Sequence, residues 1–188
     1  MSDLQSVLDG ASFDGAVKVT EAGVTGMITL RGDLSGEAMA KAVTAAVGQD
    51  VPGPLAVNSG AKGTAAWMSP DELLLVVPYE KAEATVAKLA KALADEHHLA
   101  VNVSDARAVF TLSGDGLRDV LAKGSPADVS APAFGPGVIR RSQLGLVAAA
   151  FWMTSETEAT VVCFRSVGEY MFNWLCNAAD AASFPIVK

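Results

Sequence analysis

A chain of 188 residues suits one domain, or two small halves sharing a core, and is long enough to bury roughly 70% of its unfolded surface. Hydrophobic residues make up 51% and charged residues only 19%, with a mean hydropathy of +0.32, so the apolar excess fills a large core or is presented to a partner. A net charge of −7 and a pI near 4.7, without clustered Lys and Arg, exclude nucleic acid and an anionic membrane surface as partners.

The N-terminal residues Met1 to Gln5 lack a basic region followed by an apolar stretch, so no secretory signal is expected and the compartment is cytoplasmic. The longest apolar stretch, Leu144 to Met153, is about half of what a membrane-spanning helix needs and is interrupted by Gly145. Cys163 and Cys176 are too few for a disulfide framework and are expected to be reduced.

Residues 1–19 form an N-terminal segment. Met27-Ile28-Thr29-Leu30-Arg31-Gly32-Asp33 then reads as a β-type segment and a turn. Ser35 is positioned to cap a helix from Gly36 to Val47, with Met39, Val43 and Val47 on one face and Gly48 as the stop. After Ala65-Ala66-Trp67-Met68-Ser69, the residues Ser69 to Glu72 make a turn, and Leu73 to Val77 a buried strand closed by Pro78. Glu80 to Glu96 places Ala82, Val86, Leu89, Ala90 and Leu93 on one helical stripe. His97-His98-Leu99 is the seam between the halves.

The second half repeats this order. Val109-Phe110-Thr111-Leu112-Ser113-Gly114-Asp115 answers residues 27–33, and Ala150-Phe151-Trp152-Met153-Thr154 answers residues 65–69. A short helix from Asp115 to Lys123 buries Leu117, Val120 and Leu121 and ends at Gly124. The stretch from Gly124 to Gly137, with Pro126, Pro132 and Pro136, is an ordered surface loop. Ser166-Val167-Gly168-Glu169 has the form of a capping box, opening a helix with Val167, Tyr170, Met171, Trp174 and Ala178 on one face. The expectation is an α+β fold of duplicated β-α-β-β-α halves, divided as 20–98 and 99–188.

Catalytic signals are absent. His97 and His98 are adjacent at a helix end, point apart and do not jointly ligate a metal. Gly114-Asp115-Gly116 begins like a dinucleotide fingerprint, but Asp119 stands where the third glycine belongs. Gly60-Ala61-Lys62-Gly63-Thr64 lacks the order and spacing of a phosphate loop, and no Gly-x-Ser-x-Gly elbow occurs. Arg140, Arg141 and Arg165 read as solvated arginines, with an anionic ligand or a partner's carboxylate as the alternative. Trp67, Trp152 and Trp174 read as core. The expected catalytic, cofactor-binding and metal residues are therefore none.

The segment Asp105 to Gly114, continuing through Leu117-Arg118-Asp119-Val120-Leu121-Ala122-Lys123-Gly124-Ser125-Pro126-Ala127-Asp128, resembles the gamma subunit family of heterotetrameric sarcosine oxidase. Phe164-Arg165-Ser166-Val167 with Trp174-Leu175 matches the family's closing segment, and Gly145-Leu146-Val147 its strand after the loop. The chain departs from the pattern at Ser125, where the family often has Cys, and at Gln143 and Leu144. The resemblance implies a non-catalytic subunit, partnered by alpha, beta and delta subunits. The complex it implies oxidises sarcosine to glycine, passing the methyl-derived carbon to tetrahydrofolate and electrons through flavins to oxygen. It assigns FAD, FMN, NAD and tetrahydrofolate to the larger subunits and zinc to the smallest, and none to this chain. The implied fold is similar to the amino-terminal folate-binding part of glycine-cleavage aminomethyltransferase. Two alternatives stay open: the equivalent subunit of a related N-methyl-amino-acid dehydrogenase, and a stand-alone folate-binding domain. The second needs a carboxylate over the pterin, for which Asp105 and Glu169 are the candidates.

Overall fold

The structure is a computed structural model that describes residues 5–183. In chain order its elements are β1 (Ser12–Asp14), β2 (Lys18–Glu21), β3 (Gly26–Arg31), α1 (Glu37–Val47), β4 (Val57–Gly60), β5 (Gly63–Ser69), β6 (Glu72–Val77), α2 (Ala82–Ala92), β7 (Leu99–Asn102), β8 (Arg107–Ser113), α3 (Leu117–Ala122), β9 (Ile139–Leu144), β10 (Val147–Ser155), β11 (Glu158–Phe164) and α4 (Gly168–Ala179). They fall into two α+β units, one of Thr25–Ser104 and one of Met1–Val24 with Asp105–Lys188.

In the unit Thr25–Ser104, five antiparallel strands run in the order β4-β5-β6-β3-β7. On β3, Ile28 and Leu30 alternate into a core with Met39, Val43 and Val47 of α1 and Leu89 of α2. Facing them in register are Leu75 and Leu73 of β6. Leu74, on the opposite face of β6, is also buried. Burial on both faces explains why Leu73 to Val77 is a continuous apolar run rather than an alternating one. A clasp joins the two ends of the unit: Met27 N–H donates to Ser104 Oγ at 2.9 Å, and Ser104 Oγ lies 2.6 Å from Asn102 Oδ1.

The other unit carries six antiparallel strands in the order β1-β2-β8-β11-β10-β9. Phe110 and Leu112 of β8, Phe151 of β10 and Val161 of β11 form its core with Leu117, Val120 and Leu121 of α3 and Met171 and Leu175 of α4. The loop between α3 and β9 is anchored by Phe134, which is fully buried, with its ring 5.6 Å from that of Phe151 and tilted by 76°. Edge-to-face placement suits the ring quadrupoles.

The helices follow their apolar stripes, with corrections at the ends. Gly36, not Ser35, is the N-cap of α1, and the Ser35 hydroxyl instead donates to Asp33 Oδ1 at 2.6 Å. Gly48 ends α1 in the left-handed region at φ 68°, as a glycine stop does. The α2 helix is shorter than the stretch from Glu80 to Glu96. It is preceded by a 3-10 turn, Ala90 is exposed, and Thr85 is buried, its hydroxyl bonding Lys81 O at 2.8 Å. Ser166 makes no capping box, because α4 opens from a 3-10 turn at Arg165–Val167 and has no side-chain cap. Of the tryptophans only Trp152 is buried; Trp67 and Trp174 are half-buried.

Three strands, not two, lie between the helices of each unit. The additional ones are β4 and β9. Of β4 only Val57 is buried, and of β9 only the end residues Ile139 and Leu144. Both are edge strands with polar middles, so neither carries the apolar alternation that marks a strand. The division at residues 98 and 99 also differs from the units observed. Strand β2, from the N-terminal segment and the start of the first half, pairs with β8, while Leu99–Asn102 pairs with β3. Apolar alternation dictates which face a strand buries, not which strand it joins.

Candidate functional site

A cavity of about 610 Å³ opens in the unit Thr25–Ser104. The end of β3 supplies Arg31, Gly32 and Asp33, and the β5–β6 turn supplies Asp71. The segment leading from α2 into β7 supplies Glu96, His97, His98 and Leu99, and Met39 and Leu93 add apolar wall. Gly32, at φ 155°, lets the turn pass close beneath its neighbours: a Cβ there would lie 2.7 Å from Met39 Cε and 3.1 Å from His97 O.

Charge on the wall is fixed by local bonding. Arg31 Nη2 lies 2.6 Å from Glu72 Oε2, and Nη1 lies 3.9 Å from Asp71 Oδ2. The hydrogen bond that Arg31 donates to Glu72, then the charge of Glu72, hold the guanidinium pKa above its ordinary value. Hydrogen bonds from the Ser35 hydroxyl to Asp33 and from the Ser69 hydroxyl to Asp71 hold both carboxyls below the usual range. A lowered carboxyl pKa means that the charges of Asp33 and Asp71 persist further as pH falls. Asp33, Asp71 and Glu96 line the cavity together with Arg31, whose guanidinium is paired with Glu72.

The sequence-predicted residues are scattered. His97 and His98 line the cavity as neighbours in the chain, and His98 Nδ1 lies 3.0 Å from Glu96 O. Among the described residues no group of three or more His, Cys, Asp and Glu is arranged to hold a metal ion. Asp105 and Glu169 are both exposed, Asp105 in a 3-10 turn and Glu169 in the first turn of α4, and neither lines this cavity. Arg165 Nη2 donates to Gln5 O at 2.7 Å, fastening the N-terminal segment, and Arg141 is exposed on β9. Arg140 is a loop fastener. Its Nε donates to Asp128 O at 3.3 Å and its Nη1 to Ile139 O at 3.1 Å, and Nη2 bonds Ala133 O.

Cys163 is buried on β11 and Cys176 half-buried on α4, both as free thiols. Burial pushes the Cys163 thiol up to about 11, with Arg107 opposing, and burial also raises Cys176. The thiolate is the reactive form. At pH 8, alkylation is expected to modify Cys176 first, with Cys163 reacting only as fast as the protein opens. Equal rates at the two cysteines in the native protein, read by peptide mass spectrometry, contradict this. The raised pKa also means that Cys163 destabilises the fold as pH rises from the ordinary thiol range toward 11.

Two antiparallel sheets of this order, each carrying its helices, place the chain among known α+β folds. It superposes with a TM-score of 0.82 on a chain of the heterotetrameric sarcosine oxidase from Corynebacterium sp. U-96 in complex with pyrrole 2-carboxylate, at 26% identity, covering 94% of this chain and 91% of that one. It shares the fold of glycine cleavage system aminomethyltransferase T from Bartonella henselae, with a TM-score of 0.61 at 14% identity, over 82% of this chain and 44% of that one. The model of the sarcosine oxidase gamma subunit family matches residues 31–181. The chain is 32% identical to sarcosine oxidase subunit gamma of Corynebacterium sp. (strain P-1), over 97% of this chain and 90% of the relative. It is 30% identical to the subunit gamma of an Arthrobacter species, over 98% and 90%. The chain belongs to the sarcosine oxidase gamma subunit family.

Proposed function

We propose that this chain is a non-catalytic gamma subunit that supports assembly of a heterotetrameric sarcosine oxidase with alpha, beta and delta partners. In this reading the complex demethylates sarcosine oxidatively to glycine. The methyl-derived carbon goes to tetrahydrofolate and electrons pass through flavins to oxygen. FAD, FMN, NAD, tetrahydrofolate and zinc belong to the partners, and the compartment is the cytoplasm. The observation that carries the reading is identity of 32% along 97% of the chain with a sarcosine oxidase subunit gamma. The family relationship thus extends along both units.

The finer fold reading, a duplication, is supported by the strand orders. Replacing β3, β4, β5 and β6 by β8, β9, β10 and β11 turns β4-β5-β6-β3 into β9-β10-β11-β8, and β7 and β2 take equivalent places beside them.

Coexpression with the other subunits, followed by size exclusion, tests the assembly role. The chain is expected to comigrate with the flavoprotein and, purified alone, to show no flavin absorbance and no oxidase activity. Elution of this chain as a separate monomer beside an intact, active flavoprotein rejects the assignment.

A further inference from the structure

Among the described residues four strands form the edges of the two sheets, and two of them carry features that discourage pairing with another chain. Strand β1 has only three residues, and its Asp14 pairs with Lys18 at 3.3 Å. Strand β4, four residues long like β7, offers polar Asn58 and Ser59 and ends in Gly60, so it lacks apolar side chains for a partner strand to cover. Strand β9 carries Arg140 and Arg141. Strand β7, Leu99-Ala100-Val101-Asn102, has no charge, no proline and no bulge. Leu99 and Val101 lie on one face of it, 49% and 41% exposed.

The backbone of β7 is oriented for pairing. Val103 N–H donates to Met27 O at 2.8 Å, which directs residue 103 toward β3. Alternation along an antiparallel pair directs Val101 and Leu99 the same way and turns the N–H and C=O groups of Ala100 and Asn102 outward. The sheet order ends at β7, so this outer side is an open edge among the described residues. At its N-terminal end Leu99 enters the wall of the acidic cavity, where Asp33, Asp71 and Glu96 outnumber Arg31.

We propose that β7 is the docking edge for an extended segment of another subunit of the complex, which adds to the five-stranded sheet as a sixth strand. Main-chain bonds form with Ala100 and Asn102, alternate apolar side chains cover Leu99 and Val101, and a lysine or arginine of the segment enters the acidic cavity. Main-chain pairing supplies the attachment, while side chains and charge select the partner. The inference rests on the assembly role proposed above.

Amide hydrogen exchange on the coexpressed, purified complex and on the free chain tests it. Exchange at Ala100 and Asn102 is expected to slow at least about tenfold in the complex, whereas Val103 is protected in both states. Val101→Lys, on the exposed face, and Ala100→Pro, which removes an outward donor, are each expected to weaken association about tenfold or more. A normally assembled complex with unchanged exchange at Ala100 and Asn102 overturns the inference and leaves the assembly role standing. A free chain that dimerises with those same amides protected, in a complex indifferent to Val101→Lys, makes a second copy the occupant and also overturns it. Failure of the wild-type chain to enter any complex removes the assembly role itself, and the docking edge with it.

Discussion

Replacement of Phe151 by alanine is expected to destabilise the protein by about 3–5 kcal/mol, the range for removing a fully buried aromatic ring. Phe151 is fully buried in the middle of β10, opposite Arg140 on one side and Val161 on the other. Its ring meets that of Phe134 edge-to-face, a contact worth about 0.5–1.5 kcal/mol beyond the area buried. Two losses therefore coincide, a cavity under the sheet and an anchor for the loop that Phe134 holds. Against a typical stability of about 5–15 kcal/mol, such a change removes about a fifth of the margin or more. Urea unfolding measures it as a fall in the midpoint at a similar slope. Leu146, 87% exposed at the tip of the β9–β10 hairpin, is the internal comparison, and Leu146→Ala is expected to change stability by less than about 0.5 kcal/mol. A Phe151→Ala protein with an unshifted midpoint contradicts the packing described.

Legibility in the sequence tracked how many faces of an element are buried. The strand at Leu73 to Val77, the α1 stripe with its Gly48 stop, and the buried trio Leu117, Val120 and Leu121 of α3 were all readable, because burial writes a pattern into consecutive residues. Strands β4 and β9 were not, because an edge strand with Asn58-Ser59 or Arg140-Arg141-Ser142-Gln143 in it presents the composition of a loop. Pairing of β2 with β8 and of β7 with β3 was hidden for a different reason. Strand order depends on which surfaces meet after the helices dock, and no local pattern encodes it. The cavity was missed because its wall is assembled from residues 31–39, residue 71 and residues 93–99. Each piece has an ordinary local reading, and His97-His98 in particular read as a seam. Ser35 and Ser166 stand where a cap residue would without capping a helix, because a serine near a helix start can also bond locally, as Ser35 does to Asp33.

Arg140→Ala is expected to cost about 1.5–3 kcal/mol, the range for hydrogen bonds to a charged group, although Arg140 sits on an edge strand. Its guanidinium reaches the carbonyls of Asp128 and Ala133 in the loop and of Ile139 at the start of β9, fastening the loop to that strand. The same guanidinium carbon lies 5.7 Å from the centroid of the Phe134 ring. Arg140, Phe134 and Phe151 therefore form one continuous chain of contacts, and the two substitutions are not expected to add. A double-mutant cycle of Arg140→Ala with Phe151→Ala should give a coupling energy of at least about 0.5 kcal/mol, because both act through Phe134. Arg140→Lys restores only part of the loss, since an ammonium lacks the planar fork that reaches separate acceptors at once. Hydrogen exchange locates the effect: amides of the loop between α3 and β9 should exchange faster in Arg140→Ala, while those of β3 and β6 stay as protected as before. Strict additivity with Phe151→Ala, or unchanged exchange in the loop, would show that Arg140 does not hold it.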